Sequence, residues 1–577
     1  MKLLRQAGFS ELACQFAKFI ARLDDSDNAV VSITAALLSE ANSQGHVCLN
    51  IAQTLGNEKY NDLGLPETSD VWIHQLIQSN VVGAAGEFAP LILTEQGTLY
   101  LYRYWLDEQQ VAEAIRQRCQ PIPLNHPKQI QQLFSDWVSN IDGVDWQKVA
   151  VFAALTQQFS VVSGGPGTGK TTIVLRLLTM LFTENKTMNI ALAAPTGKAA
   201  ARLQQSINDS GFEGVESKTL HRLLGITAEN QQGRYNVQRP LAVDIVIVDE
   251  ASMIDISLMA ILMTALPENA RVVLLGDSQQ LASVESGAVL ANLCQHIPQF
   301  SPEFCSKLLE STGITIAASS TPSILSNTVV ELQHSYRFDQ TSDIGRLATA
   351  VKTGDIQPVF DVIANAPAPL WMQQCDAANL LLTISRLYQP FFEAISESAP
   401  PLMCLQAFEQ QRVLCALKQG PQSVQSVNDA IERHIQKQSW RTQQGFYHGR
   451  PIMITQNDYR QQLFNGDTGL ILCDETGELK ACFLFDNCLH WFDLARLPAH
   501  ETAYAITIHK SQGSEFDKVH IVLAEEESLL LTKELLYTAI TRAKKQVMLL
   551  CSEAILTKTV MTQHQRETGL ARLLEEE

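Results

Sequence analysis

Between Asp145 and about Gly354, short apolar runs alternate with segments of helical spacing, the runs being Phe159 to Val162, Ile190 to Ala194, Ile245 to Val248 and Val272 to Leu275. Such alternation predicts a parallel sheet with helices on both faces. Residues 1 to about 115 carry helical periodicity, at Val30 to Leu38 and Val71 to Ile77, followed by two short apolar segments around Leu91 to Leu93 and Leu99 to Tyr102. They are expected to form a separate, mainly helical docking domain. Pro121, Pro123 and Pro127 interrupt regular structure, which marks 116–140 as a linker. The Ser/Thr-rich stretch Ser306 to Asn327 reads as a surface excursion, and Ala366 to Pro369 marks a second boundary. A second α/β unit follows. Within it, from about 445 to 498, short apolar runs separated by turns at Asp467 to Gly469 and Asp474 to Gly477 predict a small antiparallel β insertion. Val519 to Leu523 and Val547 to Cys551 then return to buried-strand character. The expected units are 1–115, the linker 116–140, a first α/β unit 141–360 and a second 361–577.

A length of 577 residues agrees with several units, since domains usually run roughly 100 to 200 residues. No window approaches the ~18 consecutive apolar residues of a membrane span, and the first residues lack the continuous apolar core of a signal peptide. A cytoplasmic protein with no membrane partner is the expectation. The 12 cysteines form no CxxC pair, and Cys482 and Cys488 have no nearby ligand at metal spacing, so buried reduced thiols are expected. A net charge of −18 excludes a chain that coats nucleic acid by charge alone, because such binding works by neutralising phosphates. Any DNA contact must be local, in a channel.

The chemistry enters at Gly164, Gly165, Pro166, Gly167, Thr168, Gly169, Lys170, Thr171 and Thr172, which read GGPGTGKTT between a strand and a helix. Small residues there let successive backbone N–H groups wrap phosphates, Lys170 neutralises charge and Thr171 can hold Mg²⁺. Alone, such a loop leaves kinases, GTPases, transporters and helicases open. Asp249 and Glu250 end the run Ile245 to Val248, where the first can hold the metal and the second polarise the attacking water. Gln280, in GDSQQL after Val272 to Leu275, offers an uncharged donor to a terminal phosphate. Arg337 and Arg542 carry the planar fork that suits charge developing on a transferring phosphoryl group, and one arriving from a second domain completes a site only on closure.

The ordered set DWQKVA (with Gln147), GGPGTGKTT, AAPTGKAAARL, TLHRLLG, VDEASM, GDSQQLASV, YRF, AYAITIHKSQGSEFD and LYTAITRAKK resembles that of superfamily 1 helicases, from Asp145 onward. Within that superfamily the chain is most similar to the RecD family, the alpha chain of bacterial exonuclease V, and the NGDTG stretch at Asn465 to Gly469 fits as well. The resemblance implies an α/β fold of two RecA-like P-loop motor domains with parallel sheets, a small β-barrel-like insertion in the second and the helical domain in front. It implies ATP and Mg²⁺, with Gln147 reading adenine, Thr171 and Asp249 on the metal, and Gln280, Arg337 and Arg542 at the γ-phosphate. Gly513 and Glu515 would close the site. Thr196, Lys198, His221, Thr507 and His509 would line a DNA cleft across both motor domains. The activity implied is 5′ to 3′ DNA translocation and unwinding within a RecBCD-type heterotrimer, with the beta and gamma subunits as partners, single- and double-stranded DNA as substrate and the nuclease on another chain. One departure is Ala282, where many members carry proline. A stand-alone helicase, an ATP-dependent scaffold and a small-molecule kinase are the other classes weighed.

Overall fold

The computed structural model describes residues 2–575 except 27, 140, 142, 213, 296–297, 321–322, 338–341, 368–369, 374–376, 437–441, 444, 459, 486–487, 527 and 564. Part of the boundary at Ala366 to Pro369, and Phe338 of YRF, lie outside the described residues. At the front, helices Glu11–Leu23, Ala29–Ser43 and Ser69–Ile77 bury Ala17, Ile20, Leu37, Leu38 and Trp72 in one core. Ser10, Asn28 and Thr68 cap them through their side-chain oxygens. Four short strands close this region: β1 (Cys48–Asn50), β2 (Val82–Ala84), β3 (Leu91–Leu93) and β4 (Thr98–Leu101), in the order β1-β4-β3-β2.

The structure departs from the expected partition here. Helix Tyr102–Arg118 runs across the boundary at 115 and buries Tyr104, Val111 and Ile115 in a core shared with Leu258, Met259 and Leu262 of helix Ile256–Ala265. Its Arg118 donates to the carbonyls of Pro267 (2.8 Å) and Ala270 (3.3 Å). The 116–140 stretch is not a free tether either. Pro127 begins a helix, Pro127–Asp136, because its missing N–H costs nothing in the first turn. That helix buries Ile130 and Phe134 against the motor core.

The first motor sheet comprises β5 (Phe159–Gly164), β6 (Ile190–Ala194), β7 (Ser217–Thr219), β8 (Ile245–Val248), β9 (Arg271–Gly276) and β10 (Val329–Leu332). All pairs are parallel, in the order β10-β5-β9-β8-β6-β7. Val161 packs into one layer and Val162 into the opposite one, which is why these strands read as unbroken apolar runs. The second unit opens with β11 (Trp371–Gln373) and β12 (Gln411–Cys415). A β-rich insertion follows: the hairpin β13 (Thr442–Gln443) and β14 (Phe446–Tyr447), then β15 (Arg450–Ile454), β16 (Thr468–Cys473), β17 (Leu479–Phe485), β18 (Cys488–Asp493) and β19 (His500–Thr502). The unit resumes with β20 (Ala505–Thr507), β21 (Phe516–Val522) and β22 (Ala543–Cys551). Its main sheet is parallel, β11-β22-β21-β12-β20, whereas the insertion is an antiparallel sheet, β18-β17-β16-β15-β19.

The last residues leave the second unit. After helix Glu553–Met561 the chain crosses back, and helix Leu570–Glu575 seats Leu570 and Leu574 in the core around helix Tyr102–Arg118. The buried Glu108 carboxylate accepts from the Thr568 hydroxyl and from the Gly569 N–H at 3.0 Å. Burial pushes its pKa up to about 6 against those bonds.

His520, in β21, is buried with both ring nitrogens unpartnered, and burial lowers its pKa to about 4. The folded chain therefore holds it neutral while the unfolded chain protonates it near 6.5. Its contribution is intact above that value and is lost as pH falls toward 4, by about 3 kcal/mol at most. His520→Leu is expected to flatten the fall in melting temperature between neutral pH and pH 5, and an unchanged fall would contradict this.

Candidate nucleotide site at the domain seam

The P-loop follows β5 and ends at helix Lys170–Glu184, with Gly167 at φ 78° and Gly169 at φ 83°. A Cβ at Gly167 would collide with Arg337, and one at Gly169 with the Gln147 amide, so glycine is required twice over. Lys170 Nζ donates to the carbonyls of Gly164 (2.6 Å) and Gly165 (3.2 Å). The loop is braced from two sides. Gln147 Nε2 donates to the Thr168 carbonyl at 2.8 Å, while the Tyr336 N–H donates to the Gly167 carbonyl at 2.8 Å and Ser335 Oγ to that of Pro166 at 3.1 Å. The segment carrying Arg337 is thus hydrogen-bonded directly to the loop it would serve.

At the end of β8, Asp249 is pushed up to about 6 by burial and by the Glu250 carboxylate, with Lys170 opposing. Glu250 stands in left-handed backbone at φ 54°, a conformation that disfavours a side chain and recurs at functional sites. Gln280, 6% exposed after β9, donates from Nε2 to Asp277 Oδ2 at 3.0 Å, and Asp277 also accepts from the Tyr537 hydroxyl at 3.1 Å across the seam.

From the second unit come Gly513, Glu515 and Arg542. The Arg542 side chain is buried, with Nε on the Thr538 carbonyl at 3.1 Å. Burial lowers its pKa, and Glu250 and Glu515 oppose that shift. Glu515 receives Arg337 at 2.8 Å and Arg202 at 2.7 Å, both from the first unit, and Lys544 lies 3.8 Å away. Burial works to raise its pKa, but the flanking guanidiniums hold it below the usual range. One cavity of about 170 Å³ is lined by Pro166, Gly167, Gly169, Lys170, Thr171, Asp249, Glu250, Gln280, Arg337, Gly513, Glu515 and Arg542. Gly164, Gly165, Thr168, Thr172 and Gln147 support the loop outside that lining. Arg202 lines the cavity too and was not singled out from the sequence, although it lies within the PTGKAAARL stretch.

The five residues expected along a DNA cleft all follow the carboxyl ends of parallel strands, where α/β sheets place their ligand-binding loops. Thr196 and Lys198 follow β6, His221 follows β7, and Thr507 and His509 lie at and after the end of β20. Thr196 caps helix Gly197–Asp209 through its hydroxyl and faces Gly513 across the seam. Lys198 has its pKa lowered by burial and by Arg412, while Asp467 of the insertion opposes. Phe464 packs on Gly197, so the insertion leans on this loop. His509 is lowered by burial and by Arg566. His221 is exposed on the short helix Leu220–Leu224, at the sheet's edge.

Three family models match the chain: "RecBCD enzyme subunit RecD, N-terminal domain" over residues 5–100, "AAA domain" over 147–286 and "UvrD-like helicase C-terminal domain" over 502–550. The chain is 35% identical to the RecBCD enzyme subunit RecD of Haemophilus influenzae, over 85% of its own length and 82% of that protein's. Identity to the RecBCD enzyme subunit RecD of Mycolicibacterium smegmatis is also 35%, over 96% of this chain and 95% of that one. The ATP-dependent RecD2 DNA helicase of Deinococcus radiodurans is 28% identical over 78% of this chain but only 55% of its own, longer sequence.

Proposed function

Because the chain belongs to the family of the RecBCD enzyme subunit RecD, we propose that it is an ATP-driven 5′ to 3′ DNA translocase and helicase working inside a RecBCD-type heterotrimer that processes double-strand ends for repair. The observation that carries this reading is the split cavity. The P-loop, Asp249, Glu250, Gln280 and Arg337 come from one motor unit, while Gly513, Glu515 and Arg542 come from the other. A site made from both faces of a seam is complete only when the seam is closed, so nucleotide state and domain spacing are coupled.

In the cycle, Lys170 exchanges its two carbonyl acceptors for phosphate oxygens, and the glycine loop presents its N–H groups beside it. Thr171 and Asp249 would hold Mg²⁺, an oxygen-seeking ion that neutralises phosphate charge. Glu250 orients the attacking water, Gln280 senses the terminal phosphate, and Arg337 and Arg542 take up charge as the bond to the leaving phosphate breaks. Glu515 pairs with Arg337 and Arg202 across the seam and holds the two units in contact. On the DNA side, Thr196, Lys198, His221, Thr507 and His509 would grip the strand backbone without reading bases. The influence of the insertion's Asp467 on half-buried Lys198 supports a β sheet that guides that strand.

Charge supports a subunit rather than a soloist. At −18 the chain holds DNA weakly unless partners supply a basic channel. Helix Glu11–Leu23 leaves Leu12 (69%), Phe19 (55%) and Leu23 (41%) exposed along one face of the N-terminal domain, a surface suited to the beta or gamma subunit. Among the described residues no helix is long and apolar enough to cross a membrane. A complex that works on DNA ends is expected in the cytoplasm, where that DNA is. Co-purification with two larger chains is expected. Within that complex Lys170→Gln is expected to preserve assembly and abolish 5′ to 3′ translocation by this subunit. Assembly with translocation retained would contradict the proposal. Unwinding of a 5′-tailed duplex by the purified chain alone would favour the stand-alone reading.

A further inference from the structure

Residues 277–287 run from the nucleotide cavity to the N-terminal domain without helix or strand, and successive parts are fastened to different pieces of the molecule. Gln280 faces the cavity. At the next residue, the Leu281 N–H donates to Thr538 Oγ1 at 2.8 Å, and the Leu281 carbonyl accepts from Gln512 Nε2 at 2.9 Å, both in the second motor unit. Farther along, Ser286 Oγ donates to the Asn42 carbonyl at 3.1 Å and the Gly287 N–H to that of Gly45 at 3.0 Å, both in the N-terminal domain. The shape of the stretch between them is held from within by Ser283 Oγ, which lies 2.9 Å from the carbonyls of both Glu285 and Gly287, and from outside by one side chain of the C-terminal arm. Arg566 Nη1 donates to Ser283 Oγ (3.2 Å) and to the carbonyls of Glu285 (2.6 Å) and Gly287 (2.7 Å), and Nη2 to the carbonyl of Ser283. It lies over Gly45, where a Cβ would come within 2.7 Å of the guanidinium carbon. The arm itself is pinned by the Val47 N–H on the Glu567 carbonyl (2.8 Å) and by the Glu567 N–H on His46 Nδ1 (2.9 Å).

We propose that Arg566 is a positioning residue for ATP hydrolysis. By gathering three carbonyls and a hydroxyl of residues 283–287 it fixes the loop that carries Gln280, and it joins that loop to the N-terminal domain. Without the guanidinium the Ser283 carbonyl loses its Nη2 donor and the single Ser283 hydroxyl proton is left to serve both the Glu285 and Gly287 carbonyls; converging carbonyls repel one another, so the loop takes another path. The inference rests on the reading of Gln280 as the residue at the terminal phosphate. It adds that the state of that residue reaches the docking domain through 283–287 and the arm, a connection no motif announces.

A double-mutant cycle tests this, with the full chain in its complex and DNA-stimulated ATP turnover as readout. R566Q is expected to lower kcat about ten- to hundred-fold with little change in KM for ATP, because it misplaces a loop rather than removing a binding contact. R566K, which keeps the charge but not the fork, is expected to recover part of the loss. In a Q280A background R566Q is expected to cost nothing further, since it acts through Gln280. Multiplicative losses would overturn the proposal, as would a fully active R566Q beside a slow Q280A. A Q280A with wild-type kcat would overturn the reading of Gln280, and the proposal with it. If R566Q does not fold, R566K carries the same cycle.

Discussion

Glu250→Gln is expected to lower ATP turnover by roughly 10²- to 10⁴-fold while leaving nucleotide affinity nearly unchanged, the signature of a lost general base. Glutamine preserves the size and position of the side chain but cannot accept a proton from water. The left-handed backbone at φ 54° aims this carboxylate and is retained, because glutamine has the same branching. The substitution also acts on a neighbour. Asp249 is raised to about 6 by burial and by the Glu250 charge. Removing that charge moves the Asp249 pKa down, so the acid-side fall in activity is expected at lower pH in the variant than in the wild type. Steady-state turnover and binding of a fluorescent nucleotide, each followed across pH, check both parts. Turnover at the wild-type rate would remove Glu250 from the chemistry.

The second large effect is expected at Arg542. Arg542→Ala should reduce kcat by roughly 10³-fold, the range found when an arginine that meets transition-state charge is removed. The residue is buried, with Nε bonded to the Thr538 carbonyl at 3.1 Å. Alanine therefore also removes the guanidinium donors from the Thr538 and Ser514 carbonyls, although Thr541 Oγ1 still donates to the first, and the melting temperature must be measured alongside. Arg542→Lys separates the effects, since it keeps a cation yet loses the planar fork that can hold Thr538 and meet phosphate together. A lysine variant with normal melting and severely reduced kcat supports the assignment. A lysine or alanine variant with wild-type kcat contradicts it.

What could be read from sequence, and what could not, follows from how far each signal reaches along the chain. Strands β5, β6, β8 and β9 were visible because a sheet covered on both faces demands unbroken apolar runs, and residues following β5, β8 and β9 are among those that line the cavity. The order β10-β5-β9-β8-β6-β7 has no local signature, nor does the pairing of Glu515 with Arg202 and Arg337. Arg202 was missed because an arginine on an amphipathic helix usually marks solvent. Pro127 misled for a local reason, since the same residue that breaks a helix interior opens a helix at its first turn. Ser306 to Asn327 divides: it begins inside helix Pro302–Thr312, which Ser301 caps and which buries Phe304 and Leu308, while its described residues from Gly313 onward carry neither helix nor strand. The arm from Arg566 to Glu575 was least legible, because its partners lie more than 250 residues away and neither periodicity nor motif predicts them.

On the proposed function, nucleotide held between two motor units drives movement along DNA. This coupling is tested most directly by the rate of ATP hydrolysis in the assembled complex, wild type against Lys170→Gln, with and without a single-stranded oligonucleotide. Strong acceleration by the oligonucleotide, lost in Lys170→Gln, is the expected result. A rate indifferent to the oligonucleotide would contradict a DNA-coupled motor.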